Sequence, residues 1–405
     1  MDVVTGKAIP AVQKTSLVIL LAASGSHLLN DLMQFTLPAL YPLLKEAYAL
    51  DYVQIGLLTL AQQMTASILQ PAVGLYTDIK PKPYFLAVSM LFALAGMTLI
   101  ATANSFGLLL VAAMIGGIGS AIFHPEASRV ARLASGGKLG FAQSLFQVGG
   151  NIGTAIGPLA AAFLILPRGQ SAAGWFTLIA ISGFIILTAV GRWYAAHLAL
   201  PMPKAPPRPV REVGDRRKLL LAFAVIGMLL LSKYVYISSL TSYYTFFLIE
   251  KFDLSAGTSQ LYLFLFLAAS AAGTIIGGPV GDRFGRLTVI WCSILGSLPF
   301  TLLLPHLDLT GTAIVSIFIG LILSSAFSAI VVYTQELVPG KVGLVAGFVF
   351  GFAFGIGAIG AAVLGALADV KGIIFVFNIC AFLPALGVLT IFLPKTHKVS
   401  QAQPS

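Results

Sequence analysis

Charge is what this sequence has least of. Only 9% of its 405 residues are Asp, Glu, Lys or Arg, while 58% are hydrophobic. A soluble globule carries about 25% charged residues, so a water-exposed enzyme or binding module is excluded. Cysteine is nearly absent: Cys292 and Cys380 both fall in apolar runs, where a lone thiol acts as a small apolar side chain and no disulfide framework exists. The five histidines, at 27, 124, 197, 306 and 397, show no metal-ligand spacing, and no nucleophile stands with a base. No enzyme activity, metal or other cofactor is therefore expected. The period-two alternation of a membrane barrel is missing as well. Every loop except 197–218 is short, which leaves no room for the soluble domain of a receptor.

What the chain has is long apolar runs, each close to the ~20 residues that a helix needs to cross a ~30 Å hydrocarbon layer. Twelve spans are expected: 16–44, 53–76, 84–103, 106–130, 139–166, 172–196, 219–248, 256–280, 288–305, 310–336, 343–368 and 373–393. Lys14 before an apolar run ending in AASGS imitates a signal peptide. Cleavage there would leave a mature chain that begins inside a helix, so the first span is expected to stay.

The formal charge of +10 follows from topology rather than from nucleic-acid binding. With the N-terminus in the cytoplasm, inner loops and tails hold 19 of the 24 Lys and Arg residues. That asymmetry places both termini inside.

The longest polar connection, His197 to Lys218, is rich in proline and arginine and divides the spans six and six. The two sides repeat. GLYTDIK at 74–80 and GPVGDRFGR at 278–286 share Gly-x-x-x-Asp, with Asp78 and Asp282 204 positions apart, as are Gly116 and Gly320. Lys138 and Lys341 stand 203 apart, so the offset is nearly constant along the chain and implies an internal duplication.

Two six-helix halves with a long cytoplasmic connection resemble the major facilitator superfamily. GPVGDRFGR is similar to the superfamily's signature between the second and third helices of a half. The resemblance implies an all-α membrane protein of two pseudo-symmetric six-helix bundles, 1–196 and 219–405, joined by a linker over 197–218, and acting as a monomer. It also implies that Asp282, Arg283 and Arg286 latch neighbouring helix ends. In the first half Asp78 matches, but Ile79, Lys80 and Pro81 follow it without the expected glycine. GTAIGP at 153–158 is similar to the superfamily's antiporter motif, although Ala161 and Ala162 stand where a glycine pair is expected. Ala112 and Ala113 occupy the fourth-span places where many proton-coupled relatives carry an arginine before a glycine.

SHLLNDLMQ in the first span narrows the resemblance to the fosmidomycin-resistance branch. So do FHPEASRVARLASGGKLGFAQSLFQVGGNIGTAIGP at 123–158, SKYVYISSLTSYYTF at 232–246 and SAFSAIVVYTQELVPGKVG at 325–343. The branch implies a bacterial inner-membrane exporter of the phosphonate antibiotic fosmidomycin, driven by protons. Another small hydrophilic anion, such as a sugar phosphate or an organic acid moved by symport or exchange, is the alternative cargo.

Ionised groups inside a membrane are expensive, so they line water or meet partners. Asp31 and Lys233 lie in the middle of the first span of their half, 202 positions apart. They are expected to face a central cavity from opposite sides, Asp31 as proton site and Lys233 as anion anchor; a buried ion pair that fixes packing is the plainer alternative. His27 shares the Asp31 face and Tyr236 the Lys233 face. Glu126 and Arg129, three apart, are expected to pair. Glu126 is assigned to proton coupling and Arg129 to gating, with lipid phosphate as the other partner for Arg129. Pro125 marks a place where the fourth span bends or opens, with His124 beside it. Gln143, Gln147 and Asn151 form a polar line down the fifth span, backed by Gly149, Gly150, Gly153 and Gly157, so that glycines pack while amides face the cavity. His124, Gln147, Asn151 and Tyr333 complete the expected cargo site.

Overall fold

Short polar residues decide where several helices begin. Asp51, Ser105, Ser255 and Asp308 each stand one residue before a long helix and accept a hydrogen bond from its third backbone N–H, satisfying a donor that has no partner within the helix. Asp51 and Gln54 close a reciprocal capping box. All four caps open even-numbered spans, so they gather at one membrane face.

The computed structural model of the protein describes residues 15–136, 138–199, 216–338 and 342–394; the side chain of Asp282 and those of some residues at the starts of the fifth and eleventh spans lie outside this description. The helices in chain order are α1 (Leu17–Ala39), α2 (Tyr41–Tyr48), α3 (Tyr52–Ile79), α4 (Phe85–Thr102), α5 (Phe106–Leu133), α6 (Leu139–Ala160), α7 (Phe176–Leu198) and α8 (Arg216–Phe252). There follow α9 (Ala256–Phe284), α10 (Arg286–Ile294), α11 (Leu298–Leu303), α12 (Leu309–Ser324), α13 (Ala326–Leu337), α14 (Val342–Lys371) and α15 (Ile373–Cys380). Among the described residues there is no β-strand.

These helices fall on the twelve expected spans. The departures are breaks within spans, and most have a proline behind them. The first span stops at Leu40 and restarts as α2 with Pro42 in its first turn. The ninth is α10 and α11 joined by a tight turn at Leu295–Ser297, just before Pro299. The twelfth loosens from α15 into a 3-10 helix, Leu383–Phe392, with Pro384 at its start. Each proline lacks a backbone N–H and tolerates only a first-turn position. Pro158 ends the regular part of α6, which passes into one π-helical turn at Ala161–Ile165. Other prolines are carried inside a helix: α3 continues through Pro71, α9 through Pro279 and α5 through Pro125 to Leu133, so the opening expected at Pro125 is not present. The connection expected over 197–218 falls mostly on residues outside those described, with α7 running to Leu198 and α8 beginning at Arg216.

Ten helical segments are long and apolar enough to cross a membrane by length and composition among the described residues. α1 and α3, with 23 and 28 residues, have the length but carry too many polar groups. Both pack against several other helices. α1 packs on α5, α6 and α7, and α3 on α5 and α14.

Lipid tails are as apolar as leucine, so helices in a bilayer join through close packing and hydrogen bonds. The α6 glycines supply the closeness. A Cβ at Gly149 would lie 1.9 Å from the Ser24 carbonyl oxygen, and one at Gly153 2.2 Å from that of Leu28. The first six spans meet the last six along α3 with α14 and α6 with α9. Hydrogen bonds across this seam include Gln260 to the Ala39 carbonyl, Tyr243 to the Tyr52 carbonyl, the Thr59 and Ser242 hydroxyl pair, and Ser67 to the Gly351 carbonyl.

Candidate functional site

Three side chains from two helices converge in the first half. α1 presents His27 and Asp31 one turn apart, with His27 Nε2 3.3 Å from Asp31 Oδ2. α5 brings His124 Nε2 to 3.7 Å from Asp31 Oδ1. Asn30 donates to the same Oδ1 at 2.9 Å. Each imidazole is anchored at its other nitrogen: His27 Nδ1 lies 2.9 Å from the Phe146 carbonyl oxygen, and His124 Nδ1 2.9 Å from that of Ser120. The His27 ring also stacks on Phe146, centroids 4.1 Å apart. α6 closes over the group at Gly150, where a Cβ would lie 2.4 Å from the His27 ring and 2.8 Å from Asp31 Oδ2. His27 is buried, whereas Asp31 and His124 keep 14% and 28% of their side-chain surface exposed.

Histidines 97 positions apart in sequence thus share one carboxylate, a grouping that their spacing conceals. Two amides missed by the sequence argument flank it. Gln34 donates to the Gly116 carbonyl, and Gln62 donates to the Gln34 side chain, which ties α1, α3 and α5 together. On α6 the expected polar line is present. Gln147 donates to Asn151 at 3.4 Å, Ser128 on α5 donates to Gln143, and the Asn151 amide nitrogen has no hydrogen-bond partner among the described residues.

Lys233, on α8, is 1% exposed, and its ammonium has no hydrogen-bond partner among the described residues. Its Nζ stands 5.6 Å from the ring centroids of Tyr234 and Phe327. No ion pair joins it to Asp31 among the described residues. That sets aside the plainer alternative of a buried pair that fixes packing: Asp31 is engaged by histidines of its own half, and the Lys233 ammonium lies near aromatic rings of its own.

Two expected cargo residues lie in closed surroundings. Tyr333 is fully buried, and its hydroxyl donates to the Pro394 carbonyl at 2.8 Å, so it fastens the end of the last span. Tyr236 is 1% exposed, within the apolar core. A tyrosine in an apolar run reads the same whether its hydroxyl meets water or a neighbouring carbonyl.

Toward the opposite membrane face from the four helix caps, Arg129 pairs with Asp78, donates to the Thr77 carbonyl at 2.6 Å, and lies 3.2 Å from Glu126 Oε1. The expected Glu126–Arg129 pair is therefore present, with the Glu126 side chain fully buried and Asp78 70% exposed. In the second half Arg286 pairs with Glu336 on α13, a partner that the sequence argument did not assign, and Arg283 sits over the Phe284 ring. Asp282 lies on α9, its side chain outside the described residues.

The arrangement of twelve spans with intramembrane polar groups on facing helices agrees with comparison to known proteins. The model of the Major Facilitator Superfamily matches residues 23–255 and 223–405. The "Fosmidomycin resistance protein" of Escherichia coli (strain K12) is 53% identical over 386 residues, covering 95% of both chains. The "Uncharacterized MFS-type transporter YfnC" of Bacillus subtilis (strain 168) is 40% identical over 385 residues, 95% of this chain and 94% of that one. Among solved structures, a bacterial homologue of the human lysosomal transporter Spinster, inward-facing and occupied, superposes with a TM-score of 0.72 at 14% identity, covering 93% and 94% of the two chains. A mutant of the nucleoside transporter NupG gives 0.72 at 13%, covering 93% and 100%. This chain, a multi-pass membrane protein, belongs to the major facilitator superfamily.

Proposed function

We propose that the chain is a secondary carrier that exports fosmidomycin-like phosphonate antibiotics from the cytoplasm by alternating access. The observation that carries this reading is the 53% identity, over 95% of both chains, to a protein named for fosmidomycin resistance. The site supports it. An unpartnered buried ammonium is unfavourable by several kcal/mol unless something compensates it, and an oxyanion is the ligand that would do so at Lys233 through charge-assisted bonds. Gln147, Asn151 and His124 supply further polar groups from the first half. In this reading the halves rock about a seam near the midplane, as a monomer in the bacterial inner membrane with both termini in the cytoplasm. The Asp78–Arg129 and Arg286–Glu336 pairs then brace the cytoplasmic ends of the helices, and the Asp51 face is periplasmic. Proton exchange as the driving force follows the resemblance in the sequence motifs.

The test is expression in a fosmidomycin-sensitive host. The wild-type chain is expected to raise the inhibitory concentration at least severalfold, and Lys233→Ala to abolish that gain at equal membrane abundance. Unchanged sensitivity with the wild-type chain present in the membrane would overturn the cargo. Full resistance with Lys233→Ala would remove Lys233 from the site. Alkalinisation or acidification inside vesicles on adding cargo reads the direction of proton movement.

A further inference from the structure

The His27, Asp31 and His124 group has the construction of a metal site, and this argument does not depend on the cargo. A backbone carbonyl only accepts hydrogen bonds. The 2.9 Å contacts to the Phe146 and Ser120 carbonyls therefore put a hydrogen on Nδ1 of both rings. In the neutral rings this leaves both Nε2 lone pairs turned toward one carboxylate, an arrangement that repels unless a proton or a metal cation stands between them. Metal-bound histidines are held in this way, with the second nitrogen donating to a carbonyl so that ring orientation and tautomer are fixed before the ion arrives.

The geometry agrees. One donor atom from each residue lies within 4.8 Å of the other two, with His27 Nε2 3.3 Å from Asp31 Oδ2 and His124 Nε2 3.7 Å from Oδ1. Ligand atoms around a tetrahedral zinc-class ion at about 2.0–2.2 Å stand roughly 3.3–3.6 Å apart, so side-chain shifts of about an ångström close the site. The rings meet edge to face at 88°, so they approach from different directions. Phe146 stacking and the α6 backbone at Gly150 hold His27 in place, and the Asn30 amide holds the carboxylate. Two imidazoles with one carboxylate suit zinc-class divalent ions better than magnesium or calcium, which prefer all-oxygen shells. Three protein ligands leave a fourth position, and the exposed parts of Asp31 and His124 keep it accessible.

We infer that His27 Nε2, His124 Nε2 and one Asp31 oxygen bind a single divalent transition-metal cation, leaving one coordination position open to water or to an oxyanion. The probes are Zn²⁺ and Co²⁺ added to untagged, detergent-purified protein freed of metal by chelation. Calorimetry with Zn²⁺ is expected to give one saturable site per chain, and Co²⁺ to develop the visible absorption of a four- or five-coordinate nitrogen and oxygen site. His124→Ala and Asp31→Asn are each expected to weaken binding by at least about tenfold, while Tyr333→Phe keeps it. His124 is partly exposed, so its variant tests the site even if a change at buried His27 impairs folding; thermal unfolding checks each variant. Absence of saturable binding, or equal binding by wild type, His124→Ala and Asp31→Asn, would overturn the inference.

Discussion

The carboxylate of Asp369, near the end of α14, accepts hydrogen bonds of 2.8 Å from the backbone N–H groups of Tyr52 and Val53, at the start of α3 in the other half. With Asp51 already taking the Gln54 N–H, the first turn of α3 has its free donors satisfied by two carboxylates, one from each half. A negative charge at a helix N-terminus is favourable, and bonds to charged groups contribute about 1.5–3 kcal/mol. Asp369→Ala is expected to shift the population toward the state open at this face by roughly tenfold or more. Labelling of Ala256→Cys, which lines the cavity beside Tyr52 and Glu250, reads this in a background without Cys292 and Cys380. A rate equal to that of the parent would show that Asp369 does not hold the seam.

Lys233→Met separates stability from function. The substitution keeps the volume and removes a buried charge without a hydrogen-bond partner, so thermal unfolding in detergent is expected to show a gain of about 1–3 kcal/mol. Fosmidomycin resistance is expected to disappear in the same variant. A loss of stability instead would mean that the ammonium has a partner in the folded protein.

Glu126 is the buried member of its network and Asp78 the exposed one. Asp78→Asn is expected to change stability by under about 1 kcal/mol, as exposed pairs do. Arg129→Ala leaves the Glu126 carboxylate buried without its cation and is expected to cost about 3–5 kcal/mol. The double variant Arg129→Ala with Glu126→Gln should recover a large part of that loss in the same unfolding assay, and failure to do so would show that the arginine acts mainly through Thr77.

Gly150→Ala inserts a methyl group where α6 covers His27 and Asp31. Overpacking of this kind costs about 1–3 kcal/mol. Because the clash falls on the His27 ring, Zn²⁺ affinity is expected to fall together with stability, whereas Gly25→Ala, with nothing within 4 Å of its Cβ, should leave both near wild type.

Hydropathy and length made the twelve spans legible, and the Gly-x-x-x-Asp repeat made the duplication legible. An opening is expected only at Pro125, which is carried inside α5, whereas the breaks fall where Pro42, Pro299 and Pro384 sit at new helix starts. The residue type alone does not say which. The Asp31 cluster was half visible, since His27 shares a helical face with Asp31 at four residues' distance. His124 arrives only through the packing of α5 beside α1, which no local pattern encodes. Asp369 gave no signal because its partners are backbone groups.

The polarity of α1 and α3 has a consequence for biogenesis. Both segments are more polar than the other long helices, and a translocon reads each segment by its transfer free energy as it emerges. The earliest-made portion of this protein is therefore the least able to settle alone. Packing against α5 and α6, and for α3 against α14, which is synthesised nearly three hundred residues later, adds to what holds it in the bilayer. Early truncation products should be poorly retained in the membrane, and quality control acting on the nascent chain would meet its weakest point first.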